Sequence, residues 1–310
     1  MTMLKPRIVF MGSPEFALPV LQGLTDRYPI VGVVTQPDRP AGRGRALTPP
    51  PVKVLAQSLD LPLIQPRRLR EPEPLAQLQA WHPDLIVVAA FGQILRSDVL
   101  DLPAHGCLNV HASLLPRWRG AAPVQAALLH GDVETGVTIM RMGPGLDTGP
   151  IVSQRPLVIL PEDTAASLGE RLARLGADLL IETIPAYLEG RLEPRPQDEQ
   201  QATYFPTVKK EDGLLDFNQP ALSLARRVRA FNPWPGAYTL WGDQILKIHR
   251  AHPVQETLGP AGQALVYQGL PAFGTAQGLL VLDEVQPSGR RSMPGAAFLR
   301  GARDWPGGPS

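Results

Sequence analysis

Cysteine is nearly absent from this chain: Cys107 is the single one among 310 residues. That excludes an intrachain disulfide and any zinc site built on cysteines, and Cys107 reads as a small buried hydrophobe. Long apolar runs are missing too. The first residues carry Lys5 and Arg7 and only a short apolar stretch (IVFM) before Gly12 and Pro14, too little for a signal-peptide core or a membrane span, so the chain reads as cytoplasmic with no membrane partner. Neither sign of charge dominates. The net charge is +1, divided as −2 over residues 1–203 and +3 over 204–310, a basic excess too small to argue for nucleic acid by itself. Nucleotide motifs are also lacking. Where a dinucleotide-binding protein has G-x-G-x-x-G, this chain has Gly12-Ser13-Pro14-Glu15-Phe16; the later glycines are missing and Pro14 removes a backbone N–H from the turn that would cradle a pyrophosphate. No Walker lysine motif, HExxH or GxSxG occurs, and no metal is expected.

What is present is a globular composition, 44% hydrophobic and 19% charged, in a length that suits one large or two ordinary domains. Residues 7–11 (RIVFM), 30–35 (IVGVVT) and 85–89 (LIVVA) are β-rich runs without polar alternation, as strands covered on both faces read. Helical segments at 15–26, 51–59 and 72–81 fall between them. The alternation predicts a doubly wound, mostly parallel Rossmann-like α/β sheet with ligands at the carboxyl ends of its strands. Residues 107–111, 136–141 and 150–154 are further strands and 123–130 a short helix, and leucines at 168, 172, 175 and 179 mark a long helix stopped by Gly190. The polar, proline-interrupted stretch 190–207 reads as a linker between a first domain of 1–189 and a second of 208–310. In the second, short runs at 245–249, 264–267 and 279–282 between Gly and Pro turns predict a small, OB-like β-barrel, with Phe231 and Trp234 of FNPWP as the aromatic plug of its core.

Two places concentrate chemistry. On a strand, Asn109 and His111 of NVHASLLP face the same side, and at a strand's carboxyl end that side meets the ligand crevice. An amide donor beside an imidazole suits acyl-type transfer, the amide binding a developing oxyanion while the imidazole handles a proton. The alternative is a turn-capping Asn109 and a locally bonded His111. Residues 142–149 (MGPGLDTG) form a loop of unusual backbone freedom whose only carboxylate, Asp147, could meet His111 or simply stabilise the turn.

NVHASLLPRWRGAAP together with GLDTG closely resembles the folate-dependent formyltransferases. The similarity extends through TQPDRPAGRGR at 35–45, ETGVTIM at 134–140, VKKEDGLLDF at 208–217 and FNPWPGAY at 231–238, which point to the members acting on initiator methionyl-tRNA. The resemblance implies a catalytic trio of Asn109, His111 and Asp147. The formyl donor would be 10-formyl-tetrahydrofolate, attacked directly by the amine, with no metal and no covalent enzyme intermediate. It implies folate contacts at Ser113, Leu114, Leu115 and Pro116 and a pterin loop of Phe91, Gly92, Gln93, Ile94 and Leu95, with Ile94, Leu95 and Leu115 as apolar walls. Gln93 departs from the apolar residue relatives often carry there.

For the tRNA, residues 38–53 (DRPAGRGRALTPPPVK) form a long cationic insertion, and with Arg39, Arg43, Arg45 and Lys53 it suits a flexible element that orders on nucleic acid. Lys209, Lys210, Arg226, Arg227 and Arg229 are the matching candidates in the second domain. Gly12 to Phe16 would border the methionine pocket. The rivals are formyltransferases or hydrolases with a sugar-nucleotide or glycinamide ribonucleotide acceptor, and an inactive RNA-binding module. The first lack the arginine loop or need a phosphate-cradling turn that GSPEF does not provide, and the intact trio argues against the last. A monomer is expected.

Overall fold

The computed structural model describes residues 5–41 and 46–306. Its chain divides into two compact units, 1–120 with 134–158 and 169–205, and 121–133 with 159–168 and 206–310.

The first unit is built on a seven-stranded sheet, in the order Ile151–Val158, Glu134–Arg141, Cys107–His111, Leu85–Ala89, Ile8–Gly12, Ile30–Val34, Leu63–Ile64. The last five are parallel, and the first two run antiparallel to their neighbours. Strands 8–12, 85–89 and 107–111 are buried along their whole length, which accounts for their continuous apolar character. The parallel strands grow outward from Ile8–Gly12 in both directions, so the order reverses beside it and opens a crevice at the carboxyl ends.

Helices Leu18–Thr25, Pro51–Ser58 and Pro72–Ala80 fall between the strands, each with proline in its first turn, where the missing N–H costs nothing. The long helix Ala165–Leu188 runs on from the second unit's residues into the first. At Gly176 it lies so close to the sheet that a Cβ would press on Val110 and Val137.

Two expectations change here. The insertion expected to be flexible has paired arms, Arg39–Ala41 running antiparallel to Ala46–Thr48 as a short hairpin; its tip, with Arg43 and Arg45, lies outside the described residues. The stretch expected as a linker groups with the first unit as far as Phe205, and Tyr204–Phe205 adds in parallel to Arg119–Gly120. Such pairing across 85 positions has no local signature.

The second unit carries an antiparallel sheet in the order Ala237–Trp241, Gln244–Val254, Leu279–Pro287, Leu270–Gly274, Ala264–Tyr267, with Met293–Pro294 also on Leu279–Pro287. Helices Pro123–His130, Ala221–Ala230 and Gly295–Gly301 belong to the same unit, the second burying Leu224, Ala225 and Val228 at helical spacing. The aromatic plug differs from the expected one. Phe231 is buried, but Trp234 is 55% exposed, and the core aromatics are Phe273, Phe298 and the fully enclosed Trp305. The Trp305 ring sits edge-on to both phenyl rings at 5.2 and 5.3 Å, and its indole N–H donates to the Leu265 carbonyl at 2.9 Å. No helix among the described residues is long and apolar enough to cross a membrane.

Candidate active site

Strand Cys107–His111 sorts its side chains by the alternation of the pleat. Val110 packs against the long helix at Gly176, and Cys107, on the opposite face, joins the core of Val9, Met11, Ile86 and Phe91. Asn109 and His111 continue the Cys107 face to the carboxyl end, where apolar filling stops; they are 8% and 6% exposed. The amide of Asn109 makes no hydrogen bond to another described residue, which leaves its N–H donors free for a ligand. Burial raises the Cys107 thiol to about 12, so it is no nucleophile.

Both ring nitrogens of His111 face oxygen. Nε2 lies 3.0 Å from the carbonyl of Trp118, and because a carbonyl can only accept, Nε2 carries the hydrogen. Nδ1 lies 3.8 Å from Oδ2 of Asp147, too far for a direct hydrogen bond but near enough for an ion pair. The loop after strand Glu134–Arg141 therefore does return to the imidazole. The Trp118 carbonyl holds the ring, and Asp147 faces the other nitrogen across a gap. Asp147 sits in left-handed backbone, φ 52°, with Oδ2 accepting the Gly120 N–H at 2.8 Å. Gly120 itself has φ 106° and faces the Phe205 carbonyl where a Cβ would stand. One carboxylate thus faces His111 and also ties the loop to Gly120, 27 residues earlier in the chain.

The signature Ser113 to Pro116 is spent on the turn that returns Trp118 to His111. Ser113 Oγ donates to the Arg117 carbonyl at 2.6 Å, and Thr138 Oγ1 accepts the Leu115 N–H at 3.0 Å and donates to the Ser113 carbonyl at 2.6 Å. Gln154 donates to the Leu115 carbonyl at 2.8 Å. Leu115 is buried against Met140 and Ile151, while Leu114 closes over Gly136 and Pro116 is half-buried. In the expected pterin loop Phe91 and Leu95 are core residues, and only Ile94, 79% exposed, offers an open apolar face. Gly92 turns with φ 80°. Gln93 has a task of its own, accepting the Leu69 N–H at 3.0 Å and donating to the Pro66 carbonyl at 3.2 Å. Gln93 and Ile94 also line a cleft of about 570 Å³ with Arg67, Arg68, Arg70 and Arg96. The run PRRLR is its only trace in the sequence, and without knowledge of the fold it is an ordinary charged stretch.

The cations expected to meet RNA are unevenly placed. Arg39 is exposed on the hairpin, donating to Gln36 at 3.1 Å. Lys53 is paired with Asp38 at 2.7 Å, and that pairing, helped by Gln65, holds the Asp38 carboxyl below its usual range. Lys209 and Lys210 are exposed. The three arginines are turned inward within their own unit: Arg226 covers Gly131, Arg227 donates to the Asp212 carbonyl at 2.9 Å, and Arg229 donates to the Asp163 carbonyl at 2.9 Å. Burial lowers the Arg229 guanidinium. Among the described residues no group of His, Cys, Asp or Glu could hold a metal ion.

A free amide and an anchored imidazole facing a carboxylate, at the carboxyl end of a doubly wound sheet, are groups of the kind that acyl transfer uses. The formyl transferase family profile matches residues 6–184, and that of the formyl transferase C-terminal domain matches 207–303; the chain belongs to the formyl transferase family. It is 49% identical to the methionyl-tRNA formyltransferase of Myxococcus xanthus, over 98% of each chain. It is 50% identical to the protein of that name from Chloroflexus aggregans, covering 95% of this chain and 97% of the relative. Among solved structures, HypX from Aquifex aeolicus in complex with tetrahydrofolic acid superposes with a TM-score of 0.66 at 18% identity. That match covers 99% of this chain but 49% of HypX, so the chain spans about half the length of that protein, and the likeness is one of fold.

Proposed function

We propose that this chain transfers the formyl group of 10-formyl-tetrahydrofolate to the α-amino group of methionine carried on initiator tRNA. The observation that carries the chemistry is the meeting of Asn109, His111 and Asp147 within one unit of one chain, the two ionisable groups 3.8 Å apart. The choice of acceptor rests on near-half identity to proteins named methionyl-tRNA formyltransferase over almost the whole length.

In this reading the neutral amine attacks the formyl carbon, a C–N bond forms, and the former carbonyl oxygen becomes an oxyanion. The Asn109 amide and His111 Nδ1–H donate to that oxygen, while Nε2 stays on the Trp118 carbonyl. Asp147, across the gap, compensates the imidazolium and takes the amine's excess proton through water. As the tetrahedral centre collapses, the bond to the folate N10 breaks and N10 takes, through water, the proton that Asp147 accepted from the amine. One chain suffices for this, so the protein acts as a monomer.

The SLLP turn acts by holding Trp118, and the folate enters beside Ile94. The arginines of the cleft at 67–70 and 96 suit the carboxylates of its glutamyl tail. The tRNA meets the hairpin of 39–48 and the exposed Lys209 and Lys210, and the second unit serves as its carrier.

The test is formyl transfer to initiator methionyl-tRNA beside transfer to glycinamide ribonucleotide and to an amino-sugar nucleotide. Only the first is expected to turn over. Removing an oxyanion donor costs about 100- to 1000-fold in rate, so Asn109→Ala should lose kcat by that order with KM little changed. Near wild-type turnover by both Asn109→Ala and His111→Ala refutes the mechanism.

A further inference from the structure

The segment 197–205 is neither core nor slack connection. Gln197 Nε2 donates to two carbonyls of the catalytic loop, Asp147 at 2.8 Å and Gly149 at 2.7 Å, while its Oε1 accepts from Arg119 Nε at 2.9 Å. The accepted bond settles which way the amide points. Arg119 has no exposed surface. Its remaining donors reach Glu199 Oε2 and Oε1 at 2.8 and 2.7 Å and the Tyr204 hydroxyl at 2.8 Å, a bidentate pair that fixes the guanidinium plane.

Further along, Thr203 Oγ1 accepts the Trp118 N–H at 2.8 Å, and the Thr203 carbonyl accepts the Arg119 N–H at 2.8 Å. Phe205 stands edge-on to the Trp118 ring at 6.4 Å. The segment therefore grips both residues that face His111, and both hold backbone that side chains avoid: Trp118 has φ 59° and Asp147 φ 52°. Such conformations cost about 1–3 kcal/mol each and persist where the surroundings over-determine them.

We propose that residues 197–205 form a strap that positions the catalytic constellation, and that Gln197 is a positioning residue acting through Asp147. The inference rests on the reading of Asp147 given under Proposed function. Gln197 shares one amide nitrogen between the carbonyls of Asp147 and Gly149, and so holds the loop in the turn that aims the carboxylate at His111 Nδ1. Arg119 keeps the amide from rotating, and Glu199 and Tyr204 keep Arg119 from moving.

The deciding variant is Gln197→Glu, which preserves an acceptor for Arg119 and the side-chain length but sets carboxylate oxygen against two carbonyl oxygens. In the full chain, single-turnover formylation of initiator methionyl-tRNA is expected to fall about tenfold in kcat with KM for both substrates within about twofold. In the Asp147→Asn background the same change is expected to cost nothing further, because the group it positions is already disabled. Thermal melting of each variant checks that the fold persists. Unchanged kcat in Gln197→Glu beside a crippled Asp147→Asn overturns this inference alone, as does a loss that multiplies across the two changes. Wild-type turnover by Asp147→Asn overturns the parent reading.

Discussion

Asp147→Asn removes one charge and almost nothing else. The amide oxygen can still accept the Gly120 N–H, now 2.8 Å from Oδ2, and left-handed backbone suits asparagine as well as aspartate. What is lost is the attraction to a protonated His111 at 3.8 Å and, with it, the base that takes the amine's proton. At the effective dielectric of about 20 that applies near a protein surface, unit charges at that distance attract by about 4 kcal/mol. Each 1.36 kcal/mol is a factor of ten in rate, so the lost attraction alone accounts for up to about a thousandfold in kcat, the lost base adds to it, and the expected decrease is at least about 100-fold. KM should change little, because the charge matters once the ring carries two protons and the oxyanion forms. The melting temperature should stay close to wild type. Single-turnover formylation under saturating donor and tRNA measures the chemical step directly. A decrease of less than about threefold would refute the electrostatic role, and a KM effect without a kcat effect would move Asp147 from catalysis to binding.

Three further outcomes probe the framework around the site. Gly120→Ala forces a side chain into φ 106° against the Phe205 carbonyl and pulls the N–H from Asp147, so thermal melting should show a loss of about 1–3 kcal/mol, with formylation falling alongside; an unchanged melt contradicts the packing. Glu199 is held below its usual 4.5 by the Arg119 guanidinium, so its contribution to stability is present above that value and is lost as pH falls through the lowered one. The gap in denaturation midpoint between wild type and Glu199→Gln should therefore be open at pH 7 and close as acid protonates the carboxylate, below its usual range, and a gap independent of pH would exclude the ion pair as its source. Cys107, raised to about 12 by burial, should resist a thiol reagent at pH 8 in the native protein and react once unfolded; rapid native labelling would mean that the strand opens.

The layers were legible where the signal is local. Continuous apolar runs at 8–12, 85–89 and 107–111 mark strands covered on both faces, and the two-residue spacing of Asn109 and His111 fixes their common side once 107–111 is a strand. The pairing of 39–41 with 46–48 was hidden because three-residue arms carry too little pattern to separate pairing from slack. Trp234 and Trp305 are alike as letters; only the curl of the sheet decides that the second is enclosed and the first exposed. Arg226, Arg227 and Arg229 cluster like a phosphate-binding patch, yet their donors turn to carbonyls and a glycine brought near by the fold. Gln197 and Arg119 were invisible for the same reason: their partners lie dozens of residues away, and a polar, proline-broken stretch looks like a linker whether or not it grips something.

The division of labour around His111 bears on the kind of catalysis the site performs. In a Ser-His-Asp triad the carboxylate binds the imidazole directly, and the opposite nitrogen meets the nucleophile. Here a backbone carbonyl occupies that holding role at Nε2, and a carbonyl cannot change charge or take a proton. The carboxylate is thereby left free on the side of Nδ1, separated by a gap too long for a hydrogen bond. An attacking amine brings its own nucleophile and needs no activated serine. What it needs is an oxyanion donor and, within one water of it, a base for the proton it sheds. In the proposed mechanism a free Asn109 amide, an anchored ring and a carboxylate tied to the Gly120 N–H rather than to the ring supply those two needs, and the strain at Trp118 and Asp147 is the structural cost of keeping the last two apart.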